Sequence, residues 1–368
     1  MIPFIDINKE IEIFRSEIVS KINKVLFNAQ FILGEEVTLF EATVSEMFGI
    51  NYAVGVGSGT DALFLALKAC GIKEGDVVLT SPFSFIAPTE AIVNIGAIPR
   101  YVDIKPETFN IDEDKIETAI DEKTKAIIVT HLFGNPCEMD KIVEIAKKYN
   151  LILIEDCTQA FGSKYKGKFV GSFGLAGCFS FSPNATLGAY GDAGMVVTDS
   201  DEIFRNILLL RNHGYQGGEH VIHGYNSRLD TIQAAVLNVK IAYLSTFLER
   251  RRKAAKKYKE LLKDVEEIIL PEEREDTFHT YNLFTIRVKR RDELQEFLTK
   301  NGIETKIFYK KTIPEQPCMK HFKIPEKDYE IAKNISKKVL SLPLSPHISD
   351  ANIKTIADKI KEFYAKKV

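Results

Sequence analysis

No stretch of the 368-residue chain approaches ~20 uninterrupted apolar residues, so no membrane-spanning helix is expected. The opening Met1-Ile2-Pro3-Phe4-Ile5-Asp6 lacks a basic region leading into an apolar core, and reads without a secretory signal. Cysteine is sparse: Cys70, Cys137, Cys157, Cys178 and Cys318 are widely spread and form no CxxC pair. An odd, dispersed set fits reduced core thiols better than a disulfide framework or a zinc site, so no metal is expected. Charge of either sign is not in excess, with 49 Lys and Arg against 51 Asp and Glu, a net of −2. That balance argues against non-specific nucleic-acid binding. A soluble, cytoplasmic protein is the expectation.

What is present is an ordinary globular balance, 45% hydrophobic and 27% charged, enough to bury a full core. Between about residues 50 and 200, short apolar runs alternate with helical patterns. Candidate strands are Tyr52–Val56, Val77–Thr80, Pro99–Asp103, Ala126–Thr130, Leu151–Glu155, Gly177–Phe181 and Gly194–Thr198. Helical patterns such as Thr60–Cys70, Pro88–Asn94 and Cys137–Lys148 lie between them. This α/β alternation implies a mostly parallel sheet covered on both faces, with its site at the carboxyl ends of the strands.

After about residue 245 the texture changes to a charged helix, Glu249–Glu267, then a strand at Tyr281–Val288, a helix at Arg291–Lys300 and a strand at Ile303–Tyr309. A last helix follows Ser349-Asp350, with Ile353, Ile356, Ala357, Ile360, Phe363 and Tyr364 on one face. We place a large domain over 1–245 and a smaller α/β domain over 246–368.

Three segments carry chemistry. Gly55-Val56-Gly57-Ser58-Gly59-Thr60 joins a strand to a helix whose first-turn amides suit a phosphate. It has neither the Gly-Lys-Ser/Thr of a P-loop nor the GxGxxG spacing, and by itself it leaves a tight structural turn and an anion site both open. Leu151-Ile152-Leu153-Ile154-Glu155-Asp156 ends an apolar strand in two carboxylates. Strand alternation sends one of them toward the ligand face, where it would hold a cation such as a protonated pyridine; a helix cap is the plainer use. The third segment is Gly177-Cys178-Phe179-Ser180-Phe181-Ser182-Pro183-Asn184-Ala185-Thr186-Leu187-Gly188-Ala189-Tyr190-Gly191-Asp192.

Together with Asp156–Gln159, Arg211-Asn212-His213-Gly214, Asn226-Ser227-Arg228-Leu229-Asp230 and Leu342-Pro343-Leu344, these segments resemble the DegT/DnrJ/EryC1/StrS sugar aminotransferases. The resemblance covers nearly the whole chain. It implies the aspartate aminotransferase-like fold (fold type I), with pyridoxal 5'-phosphate (PLP), or its amine form PMP, as cofactor. It implies that Asp156 pairs with the pyridine nitrogen, that Gln159 lies near the ring, and that Phe85 stacks on it. It further implies that Gly59, Thr60 and Ser180 hold the phosphate. Asn226 and Arg228 would reach the neighbouring subunit's cofactor and substrate, which implies a homodimer with shared sites. Tyr309 would line the sugar pocket, and Lys310 and Lys311 would reach a diphosphate. Phe308 and Lys310 stand where many relatives carry the His and Pro of a His-Tyr-Pro run, which leaves the sugar and nucleotide open and permits a 4-keto or a non-nucleotide keto-sugar, such as a long-chain sugar acid.

The Schiff-base lysine of the family falls at Ala185. An alanine forms no imine and shuttles no proton. One loss from an otherwise intact set reads as a lysine replaced on purpose to trap a cofactor–substrate adduct; a natural homologue without transamination, binding PLP or a nucleotide sugar, is the alternative. The Leu187–Asp192 turn resembles the branch that aminates C3 of 3-keto nucleotide sugars, with L-glutamate as donor, rather than the 4-keto branch. A dehydratase fits poorly, because the His it uses is absent here.

Overall fold

The computed structural model describes residues 1–365. Two helices, α1 (Ile7–Asn28) and α2 (Glu35–Phe48), precede β1 (Tyr52–Val56) and α3 (Gly59–Ala69). There follow β2 (Val77–Thr80), α4 (Ala87–Asn94), β3 (Ile98–Tyr101), β4 (Thr124–Thr130), α5 (Met139–Lys148) and β5 (Ile152–Asp156). A short hairpin, β6 (Lys164–Tyr165) and β7 (Lys168–Phe169), leads to β8 (Ala176–Ser180) and β9 (Gly194–Thr198). The main sheet has seven strands in the order β1-β9-β8-β5-β4-β2-β3. Only β9 runs against its neighbours. The strands are Val- and Ile-rich and buried on both faces, as helices on either side require.

The carboxyl ends of the parallel strands share one edge. Register puts Thr130 beside Asp156, and Gly194 between Val56 and Ser180. A Cβ on Gly194 would lie 2.1 Å from the Ser58 carbonyl oxygen, so the antiparallel strand fits there only without a side chain.

Past β9 come α6 (Asp201–Arg211), the hairpin β10 (Tyr215–Gln216) and β11 (Glu219–His220), α7 (Thr231–Ile241) and α8 (Leu244–Leu262). No single described helix is long and apolar enough to cross a membrane; α7 and α8 together reach the length but meet at 64°. The charged helix begins five residues earlier than expected, because Leu244 and Leu248 are buried and extend its apolar face. The strands β12 (Ile268–Ile269), β13 (Thr277–Phe278) and β14 (Phe284–Val288) follow, then α9 (Arg291–Lys300), α10 (Glu330–Ser336), β15 (Val339–Leu342) and α11 (Asp350–Ala365). A three-stranded antiparallel sheet, β12-β14-β15, packs with α8, α9 and α11 around Tyr258, Phe284, Leu294, Leu340, Ile356 and Ile360.

Two expectations are corrected here. The strand expected from Tyr281 starts at Phe284, because Tyr281 has φ +50°, outside the extended region. Ile303–Tyr309 is not a strand: it makes only isolated bridges, Ile303 with Ile2 and Lys306 with Ser341, before turning. The amino terminus supplies the missing partner, with Ile2 N donating to Gly302 O at 2.7 Å.

Candidate active site

A cavity of about 630 Å³ opens over the carboxyl edge of the main sheet. Gly59, Thr60, Phe85, Gln159, Ser180, Ala185 and Tyr309 all line it.

One end is built by the β1–α3 turn. Ser58 caps α3, its Oγ accepting from Asp61 N at 3.1 Å. The capped amide is the third of the helix. Those of Gly59 and Thr60 remain as orphan donors of the first turn. A Cβ on Gly59 would sit 2.5 Å from the Ser180 Cβ, so the glycine is what lets β8 come against the helix start. Behind the turn, Gly57 N donates to Ser227 Oγ at 3.1 Å, and that hydroxyl donates to Asp61 Oδ2 at 2.9 Å. This removes Asp61 from competition for the free amides.

At the end of β5 the alternation is resolved. Asp156 is 2% exposed and does not itself line the cavity, but it is bonded to Thr158, which does. Thr130 Oγ1 donates to its Oδ2 at 2.9 Å, and Thr158 N and Oγ1 donate to its Oδ1 at 3.1 and 2.6 Å. Burial pushes this carboxyl above its ordinary range, while the Thr158 and Thr130 hydrogen bonds pull it back. A neighbouring cation would favour the ionised form. Glu155 points the other way and is fully buried. It accepts from the amides of Gly171, Phe173 and Gly174. The His131 Nδ1 accepts from Cys137 N, so its Nε2 carries the proton and donates to Glu155 at 3.0 Å. His131, Glu155 and Cys157 are close enough to surround a metal ion, but the two nitrogens of His131 and both oxygens of Glu155 are already engaged.

Gln159 bridges two parts of the chain: its Oε1 accepts from Phe133 N at 3.1 Å and its Nε2 donates to Tyr309 Oη at 3.0 Å. Ala185 N donates to Ser182 O at 2.9 Å, and Thr186 Oγ1 donates to Asn282 Oδ1 at 3.2 Å. The buried Lys240, paired with Glu10, donates to the Gly188 carbonyl. The loop that displays Ala185 is thus held on both sides. Opposite lie Phe4, Ile5 and Phe308, which pack as one apolar wall.

Lys310 sits apart from the other expected residues. It is exposed and outside the cavity lining, because the chain turns after Tyr309; the cation at the mouth is Lys306, 2.7 Å from Glu304. Asn226 and Arg228 also lie outside this subunit's cavity. Asn226 bridges Asn212, and Arg228 Nη1 donates to Asn212 Oδ1 at 2.7 Å while its buried Nε has no partner. Sequence reasoning missed Thr130, Thr158, Asn282 and Lys306. Only Thr158 stood inside a quoted motif, so local signal existed for it alone.

The family model for DegT/DnrJ/EryC1/StrS aminotransferases matches residues 12–361. A pleiotropic regulatory protein of Geobacillus stearothermophilus is 40% identical over 99% of this chain and 98% of its own. A dTDP-3-amino-3,6-dideoxy-alpha-D-galactopyranose transaminase of Aneurinibacillus thermoaerophilus is 40% identical over 99% of both chains. DesV of S. venezuelae, solved in complex with a ketimine intermediate, superposes with TM-score 0.97 at 36% identity, covering 100% of this chain and 99% of its own. The ntda protein of Bacillus subtilis, 30% identical with TM-score 0.92 over 99% of this chain and 85% of its own, was solved with bound PMP. On sequence, on the seven-stranded sheet and on full-length superposition alike, the chain belongs to the DegT/DnrJ/EryC1/StrS aminotransferase family.

Proposed function

We propose that this chain is a PLP- or PMP-binding sugar aminotransferase of the 3-keto nucleotide-sugar branch, silenced in amino transfer by Ala185. One observation carries the reading: the Gly59-Thr60 helix start, Ala185, and Thr158 bonded to the buried Asp156 carboxylate all line one cavity. These residues fit the cofactor. The Gly59–Ser180 approach leaves a cradle that a Cβ would fill. Asp156, held by three hydrogen bonds, is a counter-ion for a pyridinium.

In this reading the Gly59 and Thr60 amides and the Thr60 and Ser180 hydroxyls hold the phosphate. Asp156 keeps the ring nitrogen protonated, Gln159 positions the ring edge, and Phe85, at the mouth, covers the ring face. When bound, the cofactor supplies an electron sink and carries the amino group between L-glutamate and the keto sugar. Ala185 has no amine with which to anchor that group or move a proton, so an adduct formed with a sugar would persist. The apolar wall of Phe4, Ile5 and Phe308 contacts the hexose, and Lys306 faces the substrate's diphosphate. The Leu187–Asp192 turn and the names of the 3-amino relatives support C3 as the aminated carbon.

The reading includes a homodimer. Phe27 is 90% exposed, and Leu26, Phe31, Ile32 and Leu39 beside it are 44–54% exposed, an apolar patch that supports burial against a second copy. Ile32 bridges Asp230, so the patch adjoins Arg228, whose role in the partner's site the dimer would realise.

The test is to add PMP and then a 3-keto nucleotide sugar. A covalent PMP–sugar adduct seen by mass spectrometry, formed with 3-keto and not 4-keto substrates, is expected; no PMP binding overturns the reading. The regulatory name of the Geobacillus relative favours one alternative, a natural non-catalytic binder. It requires that the natural gene itself encode Ala185.

A further inference from the structure

A second cavity, of about 900 Å³, lies apart from the cofactor-type cavity and shares no lining residue with it. One wall is a single face of α8, where Leu244, Leu248, Arg252, Lys256 and Lys259 recur at spacings of three and four. Along that face the chemistry changes, from two buried leucines to three cations. Leu248 and Lys256 stand eight residues apart, roughly 12 Å at the helical rise. The facing wall is the β6–β7 hairpin and the β13 segment, which contribute Phe169, Phe278 and Tyr281. Met47 closes the apolar end.

The charges do not cancel. Five cations line the cavity against two carboxylates, in a chain of net charge −2. Of the carboxylates, Glu273 is fully engaged: it accepts from Arg252, from the His279 amide and from Tyr281 Oη. Glu249 makes no ion pair among the described residues, and neither do Lys164, Lys253, Lys256 and Lys259. Lys164 lies over the Phe169 ring and Lys259 over the Tyr281 ring, 4.3 and 5.4 Å from the centroids. These ammonium groups rest on aromatic faces rather than on carboxylates. Burial also pulls Lys259 below the ordinary lysine range, aided by the like charge of Arg252 and only partly offset by Glu273 and Glu272.

A cavity of this size holds a small molecule. We propose that it is a binding site for a small amphipathic acid, an aromatic or aliphatic body ending in a carboxylate or sulfonate. The body lies on Leu244, Leu248, Phe169 and Phe278, and the anionic end meets Lys253, Lys256 and Lys259. The inference stands apart from the reading of the cofactor cavity.

The probe is 8-anilinonaphthalene-1-sulfonate, titrated by fluorescence with and without saturating PMP. One site is expected, undisturbed by PMP and weakened by salt. The double variant Lys253→Glu, Lys256→Glu alters two exposed side chains that make no ion pair or hydrogen bond among the described residues. It is expected to weaken binding at least tenfold, about 1.4 kcal/mol, with its melting temperature unchanged. The neutral analogue N-phenyl-1-naphthylamine, and sulfate alone, are each expected to bind at least tenfold more weakly than the probe. Displacement of the probe by PMP, equal binding of the neutral analogue, or unchanged affinity in the double variant each overturns the site.

Discussion

Gln159 Nε2 donates to Tyr309 Oη at 3.0 Å, joining residues 150 positions apart. One follows the central strand of the main sheet, and the other follows the segment that pairs with the amino terminus. Both residues line the cavity. Burial pushes the Tyr309 phenol above its ordinary range while the Gln159 bond opposes that, so the hydroxyl stays protonated through neutral pH. Tyr309→Phe removes the acceptor and leaves Gln159 Nε2 unpaired. It is expected to cost about 1 kcal/mol in urea unfolding and to weaken sugar binding more than PMP binding.

Ala185→Lys places an amine on the cavity wall. The variant is expected to turn yellow with PLP, to be bleached by glutamate, and to transfer amino groups at least ~10³-fold faster than the Ala185 chain, the scale of one general acid–base group. A colourless variant that exchanges nothing with glutamate removes the aminotransferase reading.

Asp156→Asn separates the demands of folding from those of binding. Burial raises the Asp156 pKa in the folded protein, so the folded state holds that proton more tightly than the unfolded chain. Its stabilising effect is complete below the unfolded value, about 3.9, and is lost as pH rises through the folded value. Without cofactor, the Asn variant should therefore melt a few degrees higher at pH 7 and about equally near pH 3.5. With PMP the order at pH 7 should reverse, because the counter-ion to the ring is gone.

Gly59→Ala drives a methyl group to 2.5 Å from the Ser180 Cβ. Overpacking of this kind costs about 1–3 kcal/mol. PMP affinity, followed by calorimetry, is expected to fall more than tenfold, since the strain falls on the phosphate cradle. Ser180→Ala, which loses one donor without strain, should weaken PMP less and leave the melting temperature near its original value.

Glu155→Ala would leave three backbone amides and the His131 Nε2 proton without an acceptor. A loss of roughly 3–5 kcal/mol is expected by urea unfolding. Glu155→Gln keeps one accepting oxygen but turns an NH2 toward donors that cannot reverse, because the other His131 nitrogen already accepts from Cys137. Its cost should be intermediate.

Much of the fold was legible because its signals are local. Val- and Ile-rich runs separated by helical periods marked all seven strands of the main sheet to within about two residues. The Gly55–Thr60 segment marked a strand-to-helix junction, and the structure adds that Ser58 caps the helix there. The misreadings came where a distant partner decides. Ile303–Tyr309 has a strand's composition, but what it pairs with is Ile2 and Ser341, so it makes bridges and then turns. Lys306, which no motif marked, lines the cavity, while Lys310 beside Tyr309 is exposed outside the lining.

By itself the sequence determined the family and the alternation of strands and helices, because motifs and periodicity are properties of the chain in order. Only the tertiary structure decided that Asp156, rather than Glu155, bonds to the cavity-lining Thr158, that Asn282 lines the cavity too, and that α8 lines a second, cationic cavity. Those facts depend on which atoms meet across long separations, and that is set by packing and by the pairing of buried polar groups.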